Sequence, residues 1–458
     1  MGKKFISLLA AIALLATPTL TPTQASAAGM PSMIRDAEIE TTIRQYATPL
    51  FQAAGLDPRA VHVYLLQVDD LNAFVAGGMN LFLYTGLIVR SETPNQLVGV
   101  MAHETGHIAG GHLARTQDAL EKATTAMIIA MVLGLGAAVA AGSGGAAAGG
   151  LLGAGSVGQS SILQYTRTQE ASADAAAMTF LDRTHQSARG LLQFFGILRQ
   201  MEFVLVGHVN PYLMNHPLTT DRIANVQAHV DNSPYSNVAD PPAWVVAHKR
   251  MVAKLIGFLW PLPRVQQRYP ETDTSLYARY ARSIAYYRAG QLQRALPIID
   301  GLIAENPTDP YFQELRGQML YESGRGADAL VNYEKALALA PDQPLLRFEL
   351  AQVQIEQENP GLLKLAIDEL KQVARDEPRN PDAWQLLGIA YGRDGQMGMA
   401  SLALAEAAAA NNRPNQARAQ ANRALDQLPY GSPAWLRAQD IVSTSKEPSK
   451  GGGGLIGN

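Results

Sequence analysis

The pentapeptide His103-Glu104-Thr105-Gly106-His107 constrains this chain more than any other stretch. It follows the largely apolar run Asn95–Ala102, which reads as a buried helix. Four residues on an α-helix rotate by about 400°, so both imidazoles leave one face, a turn apart. Two such side chains can grip one metal ion. Zinc suits them, because it accepts imidazole nitrogen at roughly 2.0–2.1 Å in a tetrahedral shell. Glu104 does not easily reach the same ion, but it reaches a water held there and would act as general base. The alternative is a helix carrying two histidines by chance. It is the weaker reading, because buried unpaired polar groups are costly.

Two histidines leave a catalytic zinc one protein ligand short. Gly110 stands where the extended pattern H-E-x-x-H-x-x-G-x-x-H has its glycine, but the last position is Leu113. His112 is one residue early and reads as structural. Downstream, Gln169-Glu170-Ala171-Ser172-Ala173-Asp174-Ala175 places two acids on one helix face among small apolar residues. Glu170 as third ligand, with Asp174 accepting a ligand histidine's outer N–H, would satisfy both acids. The alternative is a solvated acidic face beside Arg167.

H-E-x-x-H followed by E-x-x-x-D resembles the HtpX and CAAX-prenyl-protease family of zinc peptidases. Asn72-Ala73-Phe74-Val75-Ala76-Gly77-Gly78, then Tyr84-Thr85-Gly86-Leu87, is similar to the hairpin that precedes the metal helix there. Asn215-His216-Pro217-Leu218-Thr219-Thr220-Asp221-Arg222-Ile223 resembles the family's H-P-x-x-x-x-R-I element. The resemblance covers about residues 34–260. It implies a zinc endopeptidase with one Zn2+ per chain on His103, His107 and Glu170, Asp174 behind them, and Glu104 catalytic. The H-P element approaches the active site in that family. His216, held extended by Pro217, would then stabilise the oxyanion or occupy the zinc's open position and hold the enzyme latent. A loop histidine without a part in catalysis is the third reading. His62, His185, His208, His229 and His248 show no ligand spacing and read as surface or structural.

The N-terminus has the form of an export signal. Lys3 and Lys4 precede an apolar Phe5–Ala16, and Ala25-Ser26-Ala27 offers a cleavage site, so residues 1–27 are expected to be removed in the periplasm. Loss of both lysines takes the net charge from −3 to −5, because residues 1–27 contain no acids. That balance gives no reason to expect nucleic acid as partner. The chain has no cysteine, which excludes disulfides and thiolate metal sites.

Helical periodicity runs from Ile34 to Ala54, Val61–Leu66 and Asn80–Tyr84 read as strands, and Gly77-Gly78 as a hairpin turn. One hairpin edge could take an extended substrate as an added strand, or the hairpin only supports the metal helix. Residues 123–166 carry no charge and ten glycines. They fit a helical hairpin or lid beside the active site, and 125–155 could instead touch or cross a membrane, although the glycines weaken a continuous span. From about residue 274 the texture becomes helix-turn-helix. Pro307 and Pro341 are 34 residues apart, the tetratricopeptide (TPR) period, and Pro378 follows after 37, suggesting an insertion near Glu358–Gly361. Trp384-Gln385-Leu386-Leu387-Gly388-Ile389-Ala390-Tyr391 matches W-x-x-L-G-x-x-Y. About four repeats fit, and stacked repeats form a groove for protein segments.

The expected architecture is mostly α. A zincin-type α+β peptidase domain over 28–265, with a small β-hairpin or sheet, precedes a TPR solenoid over 274–440 and a disordered tail over 441–458. The layout is most similar to a periplasmic group within the family that acts on outer-membrane β-barrel proteins. That likeness implies misassembled barrel proteins as substrates and the barrel-assembly machinery as partner. A TPR assembly factor with latent or dispensable peptidase activity is the other reading, and a membrane-anchored peptidase a third.

Overall fold

The computed structural model describes residues 32–112, 166–204 and 211–445. The signal segment, nearly all of 123–166, His208 and residues 446–458 lie outside the described residues.

Four strands form one sheet in the order β1-β2-β4-β3, comprising β1 (Met33–Ile34), β2 (His62–Leu66), β3 (Ala73–Ala76) and β4 (Asn80–Tyr84). β3 and β4 are the expected hairpin, with Phe74 opposite Phe82. Its turn needs positive φ at Gly77 (58°) and Gly78 (87°), which glycine adopts without a Cβ penalty. β2 pairs parallel to β4, which makes β4 central. Val75, Leu81 and Leu83 bury their side chains in the main core.

The helix expected from Ile34 begins later, as α1 (Ala37–Ala53). Asp36 caps it by accepting the Ile39 N–H at 2.9 Å, and the preceding Met33 and Ile34 pair with Leu66 and Leu65 instead. A short α2 (Thr85–Arg90) leads into the metal helix α3 (Pro94–Ala109). Thr93 caps α3 and Pro94 fills its first turn, where a missing N–H costs nothing. Leu97, Val98, Val100, Met101 and Ala102 of α3 are fully buried. They share a cluster with residues of α4 (Arg167–Arg183) and α5 (Arg189–Val204). A short α6 (Pro211–Asn215) and then α7 (Thr220–Asn232) close the site side of this core.

Helix α8 (Pro242–Leu259) joins the two halves. Met251 and Leu255 enter the peptidase-side core, while Ala253 and Ile256 pack with Ala281 and Ala285 of the repeat region. After α9 (Leu262–Arg268), antiparallel helix pairs follow in register: α10 (Leu276–Arg288) with α11 (Leu292–Glu305), α12 (Pro310–Glu322) with α13 (Gly326–Leu339), and α14 (Pro344–Glu356) with α15 (Pro360–Asp376). Two more pairs are α16 (Pro381–Arg393) with α17 (Met397–Ala410), and α18 (Pro414–Gln427) with α19 (Pro433–Thr444).

Three expectations are corrected here. The described residues hold five pairs, not four, because α18 packs through Ala417, Ala421 and Ala424 and carries none of the signature residues. The extra three residues before Pro378 do not lie in the Glu358–Gly361 turn. They lengthen α15 to 17 residues, against 14 in α13. The tail begins later than 441, because Ile441 is buried in α19, which continues to Thr444.

The first repeats hold the start of α1. Lys254 of α8 is fully buried, with Asp36 at 2.7 Å, Glu314 at 3.2 Å and Glu38 at 3.5 Å. Arg250 binds Glu38 at 2.7 Å and also pairs with Asp309, while the Tyr280 hydroxyl donates to Glu38 at 2.7 Å. The cluster joins α1, α8, α10 and α12. Lys254→Met keeps the stem but leaves Asp36 and buried Glu314 without their cation, so it should cost about 3–5 kcal/mol. A urea midpoint unchanged from the parent would contradict this.

Candidate metal centre

Helix α3 presents His103 and His107 from one face, with their Nε2 atoms 3.1 Å apart. Helix α4 brings Glu170 against both. Its Oε1 lies 3.3 Å from His107 Nε2, and its Oε2 lies 3.5 Å from His103 Nε2. His216, just past α6, places Nδ1 3.0 Å from Glu170 Oε1 and 3.3 Å from His103 Nε2. All four side chains are at most 1% exposed, and their donor atoms lie within 4.8 Å of one another.

These separations match a tetrahedral metal shell. Bonds of roughly 2.0–2.1 Å give tetrahedron edges of about 3.3 Å. Lone pairs converging this closely away from water repel each other unless a cation lies among them. The outward atoms agree. His103 Nδ1 faces Asp174 Oδ1 at 2.9 Å, and His107 Nδ1 faces His112 Nδ1 at 3.0 Å. With the proton on Nδ1 of each ring, the Nε2 lone pair is left for a metal. His112 thus stands behind His107 and outside the four-donor group.

Glycine sets the spacing of the two ligand helices. A Cβ on Gly106 would lie 2.7 Å from the Ala173 carbonyl oxygen. The middle of the H-E-x-x-H motif is therefore also a point of backbone contact between α3 and α4 that only glycine allows. A reciprocal capping box between Thr166 and Gln169 starts α4, and Gln169 donates to the His112 carbonyl at 3.1 Å.

Arg222 is the site residue that sequence reasoning did not assign. Its Nε donates to Asp174 Oδ2 at 2.6 Å and its Nη2 to Asp174 Oδ1 at 2.8 Å. Nη1 lies 2.5 Å from Glu170 Oε2 and donates to the Pro217 carbonyl at 3.0 Å. The guanidinium sits over Phe195, 5.0 Å from the ring centre. Burial pushes the Asp174 carboxyl up, but Arg222 and His103 outweigh it and hold it below the usual range. The signal lay in the H-P-x-x-x-x-R-I element, which puts Arg222 five residues after Pro217.

Glu104 is fully buried, with Oε1 3.4 Å from His216 Nε2. Neither of its oxygens has a hydrogen-bond partner among the described residues. Burial pushes its pKa above the ordinary carboxylate value, and the imidazoles of His216 and His103 offset only part of this. His62 is half-buried in β2, His248 is buried against the Ser91 carbonyl at 2.7 Å, and His229 lies 3.3 Å from Asp182.

A buried four-donor cluster built around an H-E-x-x-H helix is the site of a metallopeptidase, and sequence comparison gives the same class. Residues 34–230 match the model of peptidase family M48, while residues 280–344 and 320–388 match tetratricopeptide repeat models. The chain carries an M48 peptidase domain followed by TPR repeats. It is similar to the beta-barrel assembly-enhancing protease of Yersinia pestis, at 24% identity over 81% of this chain and 76% of that one. The Escherichia coli protein of the same name is 22% identical over 88% of this chain and 82% of its own. Metalloprotease YcaL of Escherichia coli is 26% identical over 37% of this chain and 62% of its own.

Gly106→Ala should separate α4 from α3, costing about 1–3 kcal/mol as overpacking. Metal affinity should fall with it. A thermal midpoint and chelator competition equal to the parent's would rule out the close contact.

Proposed function

We propose that the protein is a zinc-dependent endopeptidase of outer-membrane protein quality control, exported to the periplasm by residues 1–27. The four-donor cluster of His103, His107, Glu170 and His216 carries the chemical part of this reading. The names of the similar proteases from Yersinia pestis and Escherichia coli support barrel assembly as the setting. Misassembled β-barrel proteins are the proposed substrates. Residues 28–265 form the peptidase unit and 274–440 the repeats that engage substrate or the assembly machinery. Among the described residues no helix is long and apolar enough to cross a membrane.

One Zn2+ per chain would be held by His103, His107 and Glu170, with His216 as a fourth donor. Bound there, zinc supplies Lewis-acid polarisation of the scissile carbonyl and lowers the pKa of water. Glu104 supplies the base. Its buried carboxylate has neither oxygen engaged in a hydrogen bond among the described residues, which leaves it able to take and return a proton. It takes the proton of the attacking water and passes it to the leaving amine nitrogen. Asp174 holds His103 in register, and Arg222 keeps Asp174 ionised while fixing Glu170.

Glu104→Gln keeps size but removes the base. It should retain fold and zinc, and lower cleavage of an unfolded outer-membrane protein by on the order of 10²–10⁴-fold. Cleavage at the parent's rate with full metal content would place the base elsewhere.

His216 lies among the ligands rather than at the rim of a cleft, which favours the latch over the oxyanion role. His216→Ala should therefore raise basal proteolysis of a loosely folded substrate several-fold while zinc content stays near one per chain. A fall of about 10²–10³-fold would instead assign the oxyanion role. A latched resting state also supports the second reading, an assembly factor whose peptidase is latent until released.

A further inference from the structure

His216 is not aimed at the cluster by its own backbone alone. It follows the five-residue helix α6, and its N–H donates to the Tyr212 carbonyl at 2.7 Å. Residues 212 and 216 are therefore one turn apart, and their rings meet on one face. The ring centres are 4.4 Å apart with planes inclined by 23°, a stacked pair. Tyr212 is fully buried, with Phe194 of α5 edge-on to it at 5.3 Å. The phenol is thus held by the peptidase core and the imidazole lies against the phenol. On the other side of His216, the Pro217 carbonyl is fixed by Arg222 at 3.0 Å.

A histidine side chain has two free torsions, and a backbone fixed at both ends does not set them. The nearest neighbours in the site, Glu104, Glu170 and His103, set where the ring nitrogens point only if the ring already lies in the plane that faces them. The stacked phenol is what restricts that plane.

We propose that Tyr212 is a positioning residue, whose aromatic ring fixes the plane of His216 and so keeps its nitrogens directed at the donor cluster. The proposal rests on the reading of His216 as a fourth donor. It makes the ring of Tyr212, rather than its hydroxyl, the acting part. Removing the ring releases the imidazole without touching any other proposed ligand.

Cobalt-substituted protein tests this, because the visible spectrum of cobalt(II) reports its ligand number and geometry. His216→Ala should alter the spectrum. Tyr212→Leu should alter it in the same direction and release metal to a chelator roughly tenfold faster, in line with other residues that orient a ligand. Tyr212→Phe, which keeps the ring, should retain the parent spectrum and release rate. If His216→Ala changes the spectrum and Tyr212→Leu does not, Tyr212 has no positioning role and the reading of His216 stands. A His216→Ala spectrum equal to the parent's removes both. An altered Tyr212→Phe spectrum overturns the assignment to the ring. Should Tyr212→Leu fail to fold, Tyr212→Met fills the space with a flexible chain that cannot stack. The same comparison then decides, with a parent-like spectrum in the folded Met variant rejecting the proposal.

Discussion

Two carboxylates one turn apart in a water-free interior can stay ionised only against fixed positive charge. Arg222 supplies that charge on Asp174 and Glu170 together. The planar guanidinium meets Asp174 through two parallel bonds, reaches Glu170 and still has an N–H for the Pro217 carbonyl. Helix α4 with its two acids is thereby locked to a distant stretch of chain, the loop that carries His216 and the adjoining α7 from which Arg222 projects. The ligand geometry on α3 depends on this lock, since Asp174 in turn fixes the ring of His103.

The site shows how differently residues declare themselves in a sequence. His103, Glu104 and His107 are legible because a fixed helical interval forces them onto one face, and no tertiary information is needed. Glu170 and Asp174 are legible as a chemical anomaly, acids on an alanine-rich face. Arg222 was written in a quoted motif, yet its role was not, because nothing local says which acids a distant arginine will meet. The dual use of Gly106 was equally silent. A glycine inside a helix is a mild defect until the backbone of a second helix is placed against it.

The fold divides along the same line. The hairpin at Gly77-Gly78 and the helical repeats follow from local rules, whereas the parallel pairing of β2 with β4 depends on chain that returns from elsewhere. The fifth repeat escaped notice because its packing positions are alanines, which carry no pattern beyond helix propensity. A similar substitution is visible in the turns. Gly290, Gly324 and Gly395 take the left-handed conformation two residues past their helices, and Glu358 takes it at the equivalent place with φ 51°. The repeat geometry is strong enough there to hold a residue that the backbone disfavours.

From Met251 to Gly257, helix α8 is buried almost all round. Met251 and Leu255 serve one core, Ala253 and Ile256 another, and Lys254 is shared by acids from both halves. No bond along this helix separates the chain into two parts that each keep a closed surface. Whichever fragment keeps α8 inherits an exposed apolar strip and an unbalanced charge, and the other inherits the matching groove. Proteolysis or recombination that treats the two halves as interchangeable cassettes would produce sticky pieces. The two halves therefore share one helix as part of both cores.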